Sequence, residues 1–164
     1  MYIFKHEISF QEVPTHISLS FYAIGCNHRC SSCHNKQLWD FSSDPSQWMD
    51  TDSFLKIVDS EADLIDGICW LGGDAVFQPE RLIELSMAFK KKYINKQVCL
   101  YTGFLFEQLD ESIKDVCDLI VDGRYEGYDL AHPATNQRIF WQLSISYWIQ
   151  LTYQQFKTGE YIVC

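Results

Sequence analysis

The sequence contains no uninterrupted apolar run of about eighteen residues, which is the length that a membrane-spanning helix needs. Its first residues carry no export-type cleavage signal either. Positive charge is also scarce, because 13 Lys and Arg residues stand against 22 Asp and Glu residues and leave a formal net charge of -9. Such a charge repels nucleic acid and anionic membrane surfaces. We therefore expect a cytoplasmic protein with neither a nucleic-acid partner nor a membrane partner.

The length and the apolar content fit one folded unit. A chain of 164 residues with 47% hydrophobic residues can bury a core of its own, but it is too short for two typical domains. No internal repeat and no low-complexity segment divides it. We expect a single domain over residues 1–164.

The cysteines do not form the even, regularly spaced set that a disulfide framework needs. There are 7 of them, and three lie inside short apolar stretches: Cys69, Cys99 and Cys117. Cysteines in that setting are typically small buried hydrophobic residues. Free thiols also suit a reducing compartment such as the cytoplasm.

Three other cysteines form a C-x3-C-x2-C pattern directly after an alternating apolar segment: Cys26, Cys30 and Cys33. Thiolates bind soft metals and iron-sulfur clusters, and a short loop can bring three of them to three corners of a cubane cluster. The fourth iron then has no ligand from this loop and can bind something else. The alternative is a zinc knuckle completed by His28 or His34, although zinc sites more often have a second, distant cysteine pair, which this sequence lacks.

Apolar periodicity divides the rest of the chain into alternating strands and helices. Strands are predicted over residues 16–23, 68–71, 98–101 and 117–121, and helices over residues 51–65, 79–92 and 104–115. Regular alternation of this kind indicates an α/β fold with a parallel sheet and helices on its outside. Residues 1–15 have the character of an irregular lead-in, and residues 139–153 that of a further strand plus a helix.

Glycines and polar residues follow the predicted strands. These strand ends carry Gly72-Gly73-Asp74, Thr102-Gly103 and Asp122-Gly123, in addition to the cysteine loop. The carboxyl ends of parallel strands meet on one face of a sheet, where ligands collect. A glycine pair lets a ligand approach the backbone closely, and the Asp74 carboxylate could accept hydrogen bonds from an ammonium group. Each strand end alone is typical of an ordinary turn, but together they indicate a ligand site beside the cysteine loop.

These motifs resemble those of a known family. The cysteine pattern after the first predicted strand is similar to the cluster loop of radical S-adenosylmethionine (radical SAM) enzymes, and Gly72-Gly73-Asp74 resembles the motif that meets the amino group of the methionine moiety there. Three further segments look like those of the anaerobic ribonucleoside-triphosphate reductase activating proteins, a branch of the glycyl radical enzyme activases: residues 101–104, residues 121–125 and Asn136-Gln137-Arg138. The matches run in order from about residue 17 to residue 141.

The resemblance implies a fold and an activity. The fold would be a partial, open TIM-like barrel of parallel strands with outer helices. Cys26, Cys30 and Cys33 would bind a 4Fe-4S cluster and so form its catalytic centre, with S-adenosylmethionine as cosubstrate. Reductive cleavage would yield methionine and a 5′-deoxyadenosyl radical, which would remove hydrogen from a backbone glycine. The large subunit of an anaerobic ribonucleotide reductase would be the protein substrate, and an electron donor such as flavodoxin would supply the electron.

The resemblance also assigns further residues to the cosubstrate. Gly72, Gly73, Asp74, Thr102 and Asp122 would hold it, and the polar triplet at residues 136–138 would shape the mouth of the site. A surface salt bridge is the alternative role for Arg138.

This sequence departs from the family pattern at some of these positions. Ser32 and His34 flank the third cysteine where the family often has an aromatic residue that stacks on adenine. The resemblance places both beside the cosubstrate, and His34 could still stack. Ala75 stands where a proline often follows the glycine motif.

Two other functions are consistent with the same residues. The first is a radical SAM enzyme that acts on a small molecule instead of a protein. The second is a zinc-stabilised interaction module without enzymatic activity. Metal and sulfide content separate the second from the radical enzymes, and a protein-bound radical separates the first from an activase.

Overall fold

The computed structural model describes residues 1–127, 137–144, 147–151 and 153–159. These residues form one sheet of seven strands whose spatial order follows the chain order. The strands are β1 (Ile3–Ser9), β2 (Ser18–Ala23), β3 (Gly67–Gly72), β4 (Gln97–Tyr101), β5 (Leu119–Asp122), β6 (Arg138–Ser144) and β7 (Tyr147–Leu151).

Three helices cover the connections between the parallel strands, and a fourth follows the last strand. They are α1 (Thr51–Glu61), α2 (Pro79–Lys92), α3 (Glu111–Lys114) and α4 (Tyr153–Thr158). The first begins where the Asp50 carboxylate accepts a hydrogen bond from the Ser53 amide at 2.8 Å. The second begins at Pro79, and proline is tolerated there because the first N–H groups of a helix have no partner within it. Its last turn carries three lysines, whose positive charge interacts favourably with the negative end of the helix dipole. Within the described ranges, no helix has the length and apolar content required to cross a membrane.

The sheet is open and mixed. Strands β2 to β5 are parallel, with Ala23 opposite Gly72 and Tyr101 opposite Val121. Strand β1 runs antiparallel to β2, β6 runs antiparallel to β5, and β7 runs antiparallel to β6. The predicted α/β class is confirmed, but the sheet, expected to be parallel, is mixed because its edge strands are antiparallel. The partial TIM-like barrel, like the single domain over residues 1–164, stays a prediction.

The two faces of the sheet bury different clusters because successive strand residues point to opposite sides. The outer face packs against α1 and α2 through a large apolar cluster that includes Phe21, Phe54, Trp70 and Leu85. The inner face carries a smaller cluster, whose buried members among the described residues are Val13, Cys69, Cys99, Leu119, Val121, Ile139, Trp141 and Leu151. Cys69, Cys99 and Cys117 are all buried, as predicted for small hydrophobic residues.

Three predicted segments differ from the structure. The irregular lead-in contains strand β1, which the sequence pattern hides because four consecutive residues, 4–7, are exposed at the sheet edge. The helix predicted over residues 104–115 is reduced to a 3-10 turn at Phe106–Gln108 and the four residues of α3. Leu109 and Asp110 between them have extended backbone, which breaks the helix. The tail contains two strands before its helix instead of one.

Candidate functional site

The loop that carries the three cysteines, residues 24–35, begins at the end of β2 and is fixed by backbone hydrogen bonds. The Gly25 amide donates to the Leu38 carbonyl at 2.8 Å, and the Cys26 amide donates to the Trp39 carbonyl at 2.9 Å. Gly25 has a φ of +100°, which favours glycine, so the chain turns sharply there. We call residues 24–35 the cysteine loop.

The cysteine loop forms one wall of a cavity of about 380 Å³, within the usual size range of small-molecule sites. The other walls come from the ends of β3, β4 and β5, from the inner face of the sheet, and from the β1–β2 connection. Among the predicted site residues, those that line the cavity are Cys26, Cys30, Cys33, His34, Gly72, Gly73, Thr102 and Gln137. The predicted convergence of the cysteines and the strand ends on one site is therefore present.

The thiols fit a group that binds sulfur donors. Cys26, Cys30 and Cys33 are all free, and the Asn35 amide donates to the Cys33 sulfur at 3.3 Å. Burial raises the pKa of the Cys26 thiol, while backbone N–H groups of His28 and Arg29 favour its thiolate and oppose part of that rise. Three free thiols on one cavity wall can serve an iron-sulfur cluster. In the described part of the chain, no three His, Cys, Asp or Glu side chains converge closely enough to bind a single metal ion.

The glycine pair allows β3 and the cysteine loop to touch. A Cβ atom at Gly73 would lie 2.6 Å from the Gly25 carbonyl oxygen, which is closer than real Cβ contacts. The Asp74 amide also donates to that oxygen at 3.0 Å. Gly72 has a φ of +102°, and a Cβ atom there would lie 2.6 Å from backbone atoms of Ala23. Both glycines are thus required by backbone packing, in addition to lining the cavity.

Asp74 does not present its carboxylate to the cavity. The side chain is only 1% exposed, and its Oδ2 accepts hydrogen bonds from Thr102 Oγ1 at 2.8 Å and from the Gly103 amide at 2.8 Å. His28 Nε2 lies 3.0 Å from the same oxygen, and the Val76 amide donates to Oδ1 at 3.0 Å. Asp74 therefore ties the cysteine loop to the ends of β3 and β4. The geometry favours this connecting role over direct contact with an ammonium group.

Asp122 and Arg138 bind each other behind the cavity. Asp122 is 0% exposed, and the Arg138 guanidinium donates to both of its oxygens, with Nε at 3.0 Å from Oδ1. Arg138 also forms a two-pronged ion pair with Glu107, at 2.7 and 3.0 Å. Arg138 therefore forms salt bridges in this structure, and its assignment to the mouth of the site stays a prediction.

The remaining predicted residues lie near the end of β5. Ser32 Oγ donates to the Glu126 carbonyl at 3.0 Å, and the His34 ring packs edge-on against Tyr125 with centroids 5.1 Å apart. Gln137 Nε2 donates to the Gly123 carbonyl at 2.8 Å. Asn136 lies outside the described residues. The assignments of all these residues to cosubstrate or adenine stay predictions.

Sequence reasoning missed several cavity residues. The β1–β2 connection contributes Gln11, Glu12 and Pro14, which belong to no recognisable motif, so no signal in the sequence identified them. His28 entered only as a zinc alternative, yet it lines the cavity and its ring packs against Phe104 with centroids 4.6 Å apart. Its position between two cysteines was the available signal.

Comparisons with known proteins agree with this site. The 4Fe-4S single cluster domain family matches residues 16–145, a range that includes the cysteine loop and all the cavity-lining strand ends. In fold, the chain is similar to QueE from Escherichia coli, with a TM-score of 0.51 and 10% identity over 81% of this chain. The chain spans 62% of the length of that QueE chain, and the likeness concerns the fold alone.

Two curated relatives are similar over most of their length. The anaerobic ribonucleoside-triphosphate reductase-activating protein of Enterobacteria phage T4 is 31% identical over 109 residues, which are 64% of this chain and 69% of the relative. The protein of the same name from Vibrio cholerae serotype O1 (strain ATCC 39315 / El Tor Inaba N16961) is 29% identical over 118 residues, 65% of this chain and 72% of the relative.

The fold and the thiol-lined cavity thus define a 4Fe-4S single cluster domain protein. More particularly, the chain belongs to the family of anaerobic ribonucleoside-triphosphate reductase-activating proteins.

Proposed function

We propose that this chain is a radical SAM activase that generates a glycyl radical on the large subunit of an anaerobic ribonucleotide reductase. The observation that carries the proposal is the single cavity that three free thiols share with the glycine-rich strand ends. The names of the two curated relatives support the same partner class. A cytoplasmic location and an electron donor such as flavodoxin belong to this proposal.

Cys26, Cys30 and Cys33 would hold the cluster. A bound 4Fe-4S cluster would supply the electron that cleaves S-adenosylmethionine, and this chemistry would lead to removal of hydrogen from a glycine of the partner. The protein contributes a fixed position for the cysteine loop. The cysteine loop is held at its start by two backbone bonds of 2.8 and 2.9 Å, and Arg124 donates to the His28 carbonyl within it.

The cosubstrate would lie against the strand ends. Gly72, Gly73 and Thr102 line the cavity, and the two glycines let the cosubstrate approach the backbone closely. The Asp74 carboxylate fixes the Thr102 side chain by accepting its hydrogen bond. Asp122 and Arg138 would support the site without touching the cosubstrate, because their charged groups pair with each other and with Glu107. Gln137, from the polar triplet, also lines the cavity.

The test is activation of a reductase. The chain, reconstituted with iron and sulfide without oxygen, is mixed with a candidate reductase, S-adenosylmethionine and a reductant, and electron paramagnetic resonance is recorded. We expect a glycyl radical signal that disappears when the acceptor glycine of the reductase is replaced by alanine.

Three other outcomes would contradict the proposal in different ways. 5′-Deoxyadenosine without a protein radical would indicate a radical SAM enzyme for a small molecule. Stoichiometric zinc without sulfide would indicate the interaction module. A cluster that transfers electrons but leaves S-adenosylmethionine intact would indicate an electron carrier.

A further inference from the structure

The segment between β1 and β2 folds back over the inner face of the sheet and brings Glu12 to the cavity. Val13 is 3% exposed and packs in the inner apolar cluster, so it anchors this segment. Tyr101 Oη donates a hydrogen bond of 2.6 Å to the Glu12 carbonyl oxygen. The backbone of Glu12 is therefore fixed from two sides, and its side chain starts from a defined position.

One oxygen of the Glu12 carboxylate lacks the hydrogen-bond donor that both oxygens of Asp74 and Asp122 have. Its Oε2 is buried from solvent and has no hydrogen-bond partner among the residues that the structure describes. Asp74 and Asp122, in contrast, have donors on both oxygens. A buried oxygen without a donor is costly, so its presence indicates that a donor arrives from elsewhere. The terminal torsion of a glutamate is soft, so Oε2 can turn toward the cavity that the residue lines.

We propose that Glu12 is a binding residue whose carboxylate accepts hydrogen bonds from the ribose hydroxyls of the cosubstrate's nucleoside. This inference rests on the proposed function. Neighbouring hydroxyls of a ribose can donate to the two oxygens of one carboxylate, and an acidic side chain on ribose recurs in nucleotide sites. A cavity of about 380 Å³ has the size of a small-molecule site, so its walls are expected to meet a nucleoside.

The test compares ligands with and without these hydroxyls. Binding of S-adenosylhomocysteine and of its 2′,3′-dideoxy analogue to the reconstituted protein is measured by calorimetry for the wild type and for Glu12→Gln. We expect Glu12→Gln to weaken S-adenosylhomocysteine binding by about tenfold or more, the usual effect of losing hydrogen bonds to a charged group. The dideoxy analogue should bind the wild type and the variant equally.

A matched variant controls for the change in charge. Glu7→Gln removes the same charge from the neighbouring strand, where Glu7 is exposed and pairs with Lys5 at 2.7 Å without lining the cavity. It should leave binding of both ligands unchanged. Equal binding of S-adenosylhomocysteine by the wild type and Glu12→Gln would overturn the inference, and so would an equal loss for both ligands.

Thermal unfolding of the ligand-free protein gives an independent readout. Because the carboxylate has an unpartnered oxygen, Glu12→Gln should unfold at the same temperature or higher, whereas a structural role would lower that temperature. Failure of the wild type itself to bind S-adenosylhomocysteine would overturn the proposed function along with the inference. Binding by the wild type that Glu12→Gln leaves unchanged would overturn the inference alone.

Discussion

At the scale of single residues, Asp74 does the most to define the site. Its carboxylate is 1% exposed and connects Thr102, the Gly103 amide and His28, which belong to two different loops. The position of Asp74 after a glycine pair was visible in the sequence. Three of its partners come from chain segments 28, 29 and 46 residues away, so only the folded structure could show that they satisfy it.

Asp74→Asn should loosen the cysteine loop. The amide group would place its own N–H donors against the donors of Thr102 and Gly103, and leaving one buried partner unsatisfied costs about 1–3 kcal/mol. We expect a lower free energy of unfolding in urea and less iron per folded chain after reconstitution. Asp118→Asn is the control, because Asp118 accepts from the Val98 amide at 2.8 Å and pairs with Lys90, away from the cavity. Normal iron in Asp74→Asn would contradict the connecting role.

The ion pair between Glu107 and Arg138 predicts a pH dependence. Hydrogen bonding to the Arg138 guanidinium lowers the pKa of Glu107 from 4.5 to about 2. Because the folded-state pKa is depressed, the pair stabilises the fold fully above pH 4.5, and its contribution is lost as the pH falls toward 2. Urea unfolding of the wild type and of Glu107→Gln is measured at pH values from about 6 to about 3, roughly one unit apart. The difference in their free energies of unfolding should shrink as the pH falls. A difference that stays constant over this range would contradict the pairing.

At the scale of elements, the ends of β2 and β3 act as one unit. The Gly73 amide donates to the Ala23 carbonyl at 2.8 Å, and the Asp74 amide donates to the Gly25 carbonyl at 3.0 Å. Parallel pairing places Ala23 directly opposite Gly72. The glycine motif therefore supports the start of the cysteine loop. A substitution at the end of β3 should displace the loop that follows β2.

Gly73→Ala tests this coupling. The added Cβ would lie 2.6 Å from the Gly25 carbonyl oxygen and would push the cysteine loop aside, at a cost of about 1–3 kcal/mol. Gly67→Ala is a matched control at the other end of β3, where a Cβ would lie 2.3 Å from the Gln97 carbonyl oxygen. Both variants should unfold at lower urea concentration, but only Gly73→Ala should bind less iron per folded chain. Equal iron in the two variants would argue against the coupling.

The packing of α2 on β3 gives a prediction that does not involve the site. Trp70 is fully buried, and its indole N–H donates to Ser86 Oγ at 2.9 Å. Ser86→Ala leaves that N–H without a partner and should lower the free energy of unfolding by about 1–3 kcal/mol. Ser60→Ala, at an exposed serine of α1, should change it by less than about 0.5 kcal/mol. In the Trp70→Phe background, which lacks the N–H, the effect of Ser86→Ala should become much smaller.

At the scale of the whole molecule, the sequence predicts the centre of the sheet better than its edges. Strands β2 to β5 have apolar residues on both faces, such as Phe21 outside and Leu119 inside, so their pattern is strong. Strand β1 pairs on one side only and exposes residues 4–7, which removes the apolar signal. The contact of Asp122 with Arg138 depends on the antiparallel pairing of β5 and β6, which no local pattern indicates.

The cavity shows the same division. The cysteines and the glycine strand ends could be predicted because their residue types are unusual and their spacing carries chemistry. Glu12 could not, because its position depends on the β1–β2 connection folding over the inner face, where Val13 is buried. A local sequence pattern can identify cavity residues that directly follow a strand. Which other residues line the cavity depends on the tertiary fold.

The central claim is that Cys26, Cys30 and Cys33 hold a 4Fe-4S cluster that cleaves S-adenosylmethionine. The most direct measurement is 5′-deoxyadenosine formed by anaerobically reconstituted and reduced protein, compared between the wild type, Cys30→Ala and Cys99→Ala. Cys99 is buried in the inner cluster and does not line the cavity, so it controls for loss of a thiol. We predict product from the wild type and from Cys99→Ala and none from Cys30→Ala. Product from Cys30→Ala at the wild-type level, or a wild-type protein free of iron, would contradict the account.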